Sequence, residues 1–179
     1  MARYVAFLRA INVGGHVVKM DVLKAEFEAL GLTKVETFIA SGNVLFESRS
    51  SNLSALEEKI ERALAKKLGY EVATFIRTLA DVHAIVRYKP FSDDRLEAAS
   101  ALNVGLLKRP LDQPTRDALA GLKTDIDDFH ANEAQLFWIC EKKQGESKIS
   151  NAVFERTLKV KATFRGIRTM QKLAARYAP

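Results

Sequence analysis

The sequence predicts an α+β protein made of two ferredoxin-like (β-α-β-β-α-β) subdomains, with a connecting helix between them and a C-terminal helix at the end. Three observations predict it. Short apolar runs bounded by Gly, Asn and Ser read as strands. Amphipathic stripes at helical spacing alternate with them in the order β-α-β-β-α-β. The same order then starts again near residue 100. With 179 residues, 47% of them hydrophobic, the chain can bury a core of this size.

The elements follow in order. "RYVAFL" (3–8) is an apolar run ahead of Gly14-Gly15 and reads as a strand buried on both faces. "KMDVLKAEFEALG" sets Met20, Leu23, Phe27 and Leu30 on one helical stripe and stops at Gly31. "KVETFIA" (34–40) alternates as a strand, "SGN" (41–43) is a turn, and "VLFES" (44–48) returns. Leu53, Leu56, Ile60 and Leu64 make the second stripe, with Ser51 or Asn52 as cap. "EVATFIR" (71–77) completes the first unit. Residues 78–89 form the connecting helix, with Thr78 and Asp81 as a capping pair, and "KPFSDD" reads as a linker. In the second unit, 100–108 is a strand and "QPTRDALAGLK" a helix. Residues 124–131 and 133–141 form a hairpin across Asn132. "KISNAVFERTLKV", "KATFR" and "GIRTMQKLAARY" give a helix, a short strand and the closing helix. The expected domains are therefore 1–77, a connecting segment 78–99, and 100–179. The repeat is one of pattern, without residue identity.

Composition limits the function classes. Cys140 is the only cysteine, so no intramolecular disulfide forms; this fits a cytoplasmic location. The longest apolar runs are about six residues, against the ~20 of a membrane helix, so no membrane partner is expected. The N-terminus reads as a strand, not a signal peptide. This basic protein carries 28 Lys and Arg against 22 Asp and Glu, a net charge of +6. No acid follows Glu155, while Arg156, Lys159, Lys161, Arg165, Arg168, Lys172 and Arg176 do. That stretch reads as a solvated helix face or as a surface for nucleic acid or another polyanion.

Topology gathers polar loops on one edge. Right-handed crossovers bring together the end of strand one, the start of helix one and the two–three hairpin. Arg9, Asn12, Gly14, Gly15, His16 and Lys19 come from the first two, and Ser41, Gly42 and Asn43 from the hairpin. Gly69-Tyr70 reaches the same edge. A helix N-terminus there offers unpaired N–H groups to an anion. "NVGGH" is not a dinucleotide or P-loop fingerprint, so two readings stand: a turn that needs glycine torsions, or a mouth for a small anionic ligand. In the mouth, Arg9 and Lys19 supply charge, Asn12, Ser41 and Asn43 orient, and Gly14, Gly15 and Gly42 admit close approach. Lys148, Asn151 and Arg165 form a second candidate anion site around "EKKQGESKISN", which also reads as a charged loop with a helix cap at Ser147 or Ser150.

Other chemistry is sparse. His16, His83 and His130 lack metal-ligand spacing, and "DIDDFH" reads as charge on an edge strand, so no metal is expected. Cys140 alternates with Trp138 and Leu136 and reads as core. No nucleophile signature occurs and no cofactor is expected; the pattern names no reaction. The apolar strands need cover on the face without helices, from the second unit, the extra helices or a second chain, so the protein is a monomer or a homodimer.

"YVAFLRAINVGG", "VKMDVLKAEFEALG" and "VETFIASGNVLFES" together resemble a mostly bacterial family, domain of unknown function 1697. The likeness continues through "SKISNAVFERTLKVKATFRGIRTMQKL". The resemblance implies two ferredoxin-like subdomains and no assigned activity, substrate or cofactor. Its distinctive motifs fall on Arg9, Asn12, Gly14, Gly15, Ser41, Gly42 and Asn43, and on Lys148, Asn151 and Arg165. The departure is at "FRGIR": the family carries Arg-Asn-Trp there, and Gly166 and Ile167 do not fit it.

Overall fold

The computed structural model describes residues 1–12, 14–39 and 42–179. The first half runs β1 (Ala2–Leu8), α1 (Met20–Ala29), β2 (Thr33–Thr37), β3 (Asn43–Ser48), α2 (Leu53–Leu68), β4 (Thr74–Thr78) and α3 (Leu79–Arg87). The second runs α4 (Asp93–Ala98), β5 (Ala101–Leu106), α5 (Gln113–Ala120), β6 (Asp127–Asn132) and β7 (Gln135–Cys140). It continues with a 3-10 turn (Gln144–Glu146), α6 (Asn151–Leu158), β8 (Thr163–Gly166) and α7 (Ile167–Arg176). The described residues form two four-stranded sheets, β2-β3-β1-β4 and β6-β7-β5-β8. All their pairings are antiparallel. Each is the strand order of a ferredoxin-like unit.

The chain divides into two units: Met1–Ala84 with Leu173–Pro179, and Ile85–Lys172. The expected second subdomain ran to residue 179; the contacts group its last seven residues with the first unit. In the first unit, Tyr4, Ala6, Leu8, Val44, Phe46 and Ile76 point at Leu23 and Phe27 of α1 and at Leu56, Ile60 and Leu64 of α2. Strand alternation sends Val5, Phe7, Leu45 and Phe75 to the other face, and these are buried too. In the second unit, Leu136, Trp138 and Phe164 pack with Leu119 of α5 and Phe154 of α6. Ring pairs Trp138–Phe164 and Phe154–Phe164 meet edge-on at 5.9 and 5.3 Å. Gly105 of β5 lets Phe164 cross the strand; a Cβ there would stand 2.7 Å from its ring.

Local signals explain the ends. The Asn52 side chain accepts the Ala55 N–H, and Gly69 closes α2 in the left-handed region. Thr78 and Asp81 cap α3 reciprocally: Asp81 Oδ2 accepts the Thr78 N–H at 2.9 Å and Thr78 Oγ1 accepts the Asp81 N–H at 3.0 Å. Ser150, not Ser147, caps α6, accepting from the Val153 N–H.

Three expectations are corrected. The second strand ends at Thr37 rather than 40, because Ile39 sits at φ 55° and Phe38 turns back to pair with Asn43. β4 begins at Thr74 rather than 71. The linker at 89–94 runs into helix α4, which buries no residue. Two acids in its first turn complement the helix dipole, and Arg95 pairs with Asp128 at 3.0 Å. No helix among the described residues is long and apolar enough to cross a membrane.

Candidate functional site

The predicted loop edge exists in the first unit, and backbone contacts build it. The N–H of Leu8, the last residue of β1, donates to Gly42 O at 2.8 Å. The Arg9 N–H donates to Ala73 O at 2.9 Å. Gly42, at φ 75°, is packed tightly: a Cβ there would stand 2.6 Å from Ile11 Cγ2 and 3.2 Å from Leu8 Cβ. The end of β1, the approach to β4 and the start of β3 are thus joined.

Side chains divide between holding the loops and facing outward. Asn12 Oδ1 accepts the Val18 N–H at 2.7 Å, a bond across six positions just ahead of α1. Asn43 is fully buried; its Nδ2 donates to Phe38 O at 3.0 Å while Phe38 N–H donates to Asn43 O at 2.8 Å. Tyr70, just past α2, braces the loop from the side. Its hydroxyl donates to Ile11 O at 3.4 Å, and its ring stacks on His16 with centroids 3.9 Å apart. Asn12, Gly42, Asn43 and Tyr70 are the scaffold. Arg9 is half-buried, while Gly14, Gly15, His16 and Lys19 are exposed. Gly14 and Gly15 hold φ 64° and 86°, and a Cβ on either would meet nothing within 4 Å. Their glycine requirement is torsional, and the space beside them is open. Lys19 stands at the N-cap of α1, which has no side-chain cap. Ser41 lies outside the described residues. The sequence pattern reached this edge by topology and placed Gly69-Tyr70 on it, but gave no sign of the His16–Tyr70 stack. A cleft of ≈ 520 Å³ in the same unit opens at its other end, between Thr33, Ser48 and the start of α2.

The second candidate is dispersed. Lys148 and Asn151 are exposed at the start of α6. Arg165 is half-buried on β8, opposite Val104 in register. Its neighbour Phe164 faces α6, so alternation turns Arg165 to the opposite face of the sheet. Its guanidinium donates to Thr163 Oγ1 and Phe164 O, both at 2.9 Å, and burial lowers its pKa to about 10.

The "DIDDFH" stretch, expected as charge on an edge strand, holds a structural device. Asp127 is buried. Its Oδ1 accepts from Trp138 Nε1 at 2.8 Å and its Oδ2 from Thr124 Oγ1 at 2.7 Å, while Ser147 Oγ donates to both. The carboxylate thereby pins the 141–150 loop to the hairpin. Asp125 is exposed, and His130 Nε2 meets the Tyr88 hydroxyl at 2.7 Å. No metal-binding group of three or more His, Cys, Asp or Glu occurs among the described residues. Cys140 is buried, donates to Lys142 O, and has its thiol pKa pushed up by burial.

Fold and edge together define the class: an α+β protein of two ferredoxin-like units, the first carrying a braced, glycine-opened loop edge. The chain belongs to the family described as "Protein of unknown function (DUF1697)", which matches residues 1–137. It is similar to the solved structure of the conserved bacterial protein SP0830 from Streptococcus pneumoniae. That similarity has 26% sequence identity and a TM-score of 0.76, and covers 98% of each chain. No curated protein matches the chain.

Proposed function

We propose that the protein binds a small ligand through an anionic group, with the loop edge of the first unit as the contact surface. One observation carries this reading. Asn12, Gly42 and Asn43 are spent holding the loops, yet Gly14 and Gly15 are left with open space beside exposed Lys19 at an uncapped helix start. Such a start presents N–H groups and the positive end of the helix dipole. Lys19 and Arg9 supply further charge, and the exposed His16, backed by Tyr70, walls the mouth. The single buried thiol fits the reducing cytoplasm, and likeness to a bacterial protein supports a bacterial setting.

Thermal unfolding with phosphate, sulfate and small carboxylates tests the reading. A stabilising anion is expected to raise the midpoint of the parent protein, and Lys19→Ala and Arg9→Ala to reduce that rise. Equal stabilisation of parent and both variants overturns this site. The basic stretch from Arg156 to Arg176 is the competing anion surface. Two of its cations are engaged elsewhere: Arg165 on its own strand and Arg176 on Glu36 at 2.6 Å. Oligonucleotide binding at ~50 mM salt that falls steeply as salt rises would move the function to that stretch.

A further inference from the structure

The second unit holds a cavity of ≈ 940 Å³ where β5 begins and β8 ends, walled by residues 86–89 and the first turns of α7. Three cations line it, Arg87, Lys89 and Arg168, and no Asp or Glu does. Lys89 is held by Asp93 at 2.8 Å. Arg87 and Arg168 are exposed, and neither has an ion-pair partner among the described residues. Leu102 and Tyr88 add an apolar wall.

A second observation points to a ligand independently of the charge. Asn103 lines the cavity, is only 8% exposed, and its amide Nδ2 is buried without a hydrogen-bond partner. Buried donors in native proteins are satisfied by protein, water, ion or ligand. Asn103 pairs in register with Gly166 on β8. A Cβ at Gly166 would meet nothing within 4 Å. The strand position beside the orphaned amide is therefore empty, and no left-handed torsion requires glycine there.

We propose that this cavity binds an organic phosphate. Arg87 and Arg168 hold the dianionic group, the apolar body lies against Leu102 and Tyr88, and Asn103, on the opposite face of β5 from Leu102, donates its amide to a ligand oxygen that reaches round the end of β8 at Gly166. Two arginines with no acid in the wall suit a dianion, which accepts several charge-assisted hydrogen bonds. This site is separate in sequence and in unit from the loop edge at Arg9 and Lys19.

The test is a titration of the full chain with phenyl phosphate and with inorganic phosphate, read by NMR at the side-chain amide of Asn103. Phenyl phosphate is expected to shift that amide saturably and to bind more tightly than inorganic phosphate. Arg168→Ala should weaken binding about tenfold, the size of one charge-assisted hydrogen bond. Gly166→Leu fills the open position and should abolish the shift while the unfolding midpoint stays near the parent value. Lys19→Ala should leave the titration unchanged, which keeps this result apart from the fate of the loop edge. No shift at Asn103 at millimolar phenyl phosphate overturns the proposal. So do shifts that survive both Arg168→Ala and Gly166→Leu, or equal affinity for the two probes.

Discussion

Glu57 Oε1 on α2 accepts the backbone N–H of Ile76 on β4 at 2.8 Å. One helical turn further on, Glu61 accepts the N–H of Thr74 at the same distance. Four helical residues rise about 6 Å and two strand residues about 7 Å, so carboxylates one turn apart meet alternate N–H groups of an edge strand. β4 is such an edge, and this cover removes donors that would otherwise pair with another chain. The second unit repeats the device at its own edge, where Glu155 accepts the Ala162 N–H at 3.2 Å ahead of β8.

Glu57 also supports the buried Arg77, whose guanidinium pKa is lowered by burial and raised back by Glu57 and Asp81. Glu57→Ala is expected to cost about 3 kcal/mol, because it orphans the buried Ile76 N–H and takes one of two supporting carboxylates from a buried cation. Glu57→Gln keeps an acceptor oxygen for Ile76 and should cost about half as much. Urea denaturation of both variants measures this. A loss below ~0.5 kcal/mol for Glu57→Ala, within the range of an ordinary surface substitution, would show that the edge is held by other means.

The chain end supplies a pH dependence. The Tyr177 hydroxyl donates to Glu36 Oε1 at 2.6 Å, beside Arg176 and under the Arg3 guanidinium. Burial, then the Glu36 carboxylate, pushes the phenol from 10.0 up to about 12. The folded state therefore keeps a proton that the unfolded chain releases near pH 10. Stability from this group is complete below pH 10 and is lost as pH rises through about 12. Tyr177→Phe should be less stable than the parent at pH 9, and the gap should narrow by pH 11.5. Parallel stability curves for the two proteins would refute this linkage.

Gly42 and Gly14 separate fold from function. Both are left-handed, at φ 75° and 64°. At Gly42 an added Cβ also meets Ile11 Cγ2 at 2.6 Å, so Gly42→Ala should cost about 3 kcal/mol, torsional strain plus overpacking. Gly14→Ala meets nothing and should cost about 1 kcal/mol from torsion alone. Thermal unfolding gives both numbers, and equal losses would mean that the packing at Ile11 relaxes freely.

How far the sequence could be read depends on how local each cause is. β1, β3 and α2 were legible because an apolar run or stripe is a property of neighbouring residues, and the Thr78–Asp81 cap lies within three positions. α4 was not, since it has no apolar period and buries nothing; charges fix it, one of them 33 residues away on Asp128. The convergence at the loop edge followed from topology. That Asn12 and Asn43 work inward did not, because their partners Val18 and Phe38 are backbone groups that any residue carries. Asp127 is illegible for the same reason as α4: its partners Trp138 and Ser147 lie 11 and 20 residues on.

Asp127 can be tested through Trp138, the single tryptophan of the chain. Asp127→Ala leaves the indole N–H and the Ser147 and Thr124 hydroxyls without their acceptor, in a site only 2% exposed. It should cost about 3 kcal/mol or more, several buried donors being orphaned at once. Asp127→Asn keeps one carbonyl oxygen for the indole and should cost less. Ser147→Ala removes the tether of the 141–150 loop together with the acceptor of the Ile149 N–H, and leaves the indole bond to Asp127 in place, at about 1 kcal/mol. Tryptophan emission should shift in Asp127→Ala and stay at the parent wavelength in Ser147→Ala. Proteolysis at Lys142, Lys143 or Lys148 should quicken in both. If Ser147→Ala leaves the cleavage rate unchanged, the loop is held without Asp127, and the carboxylate serves only the indole.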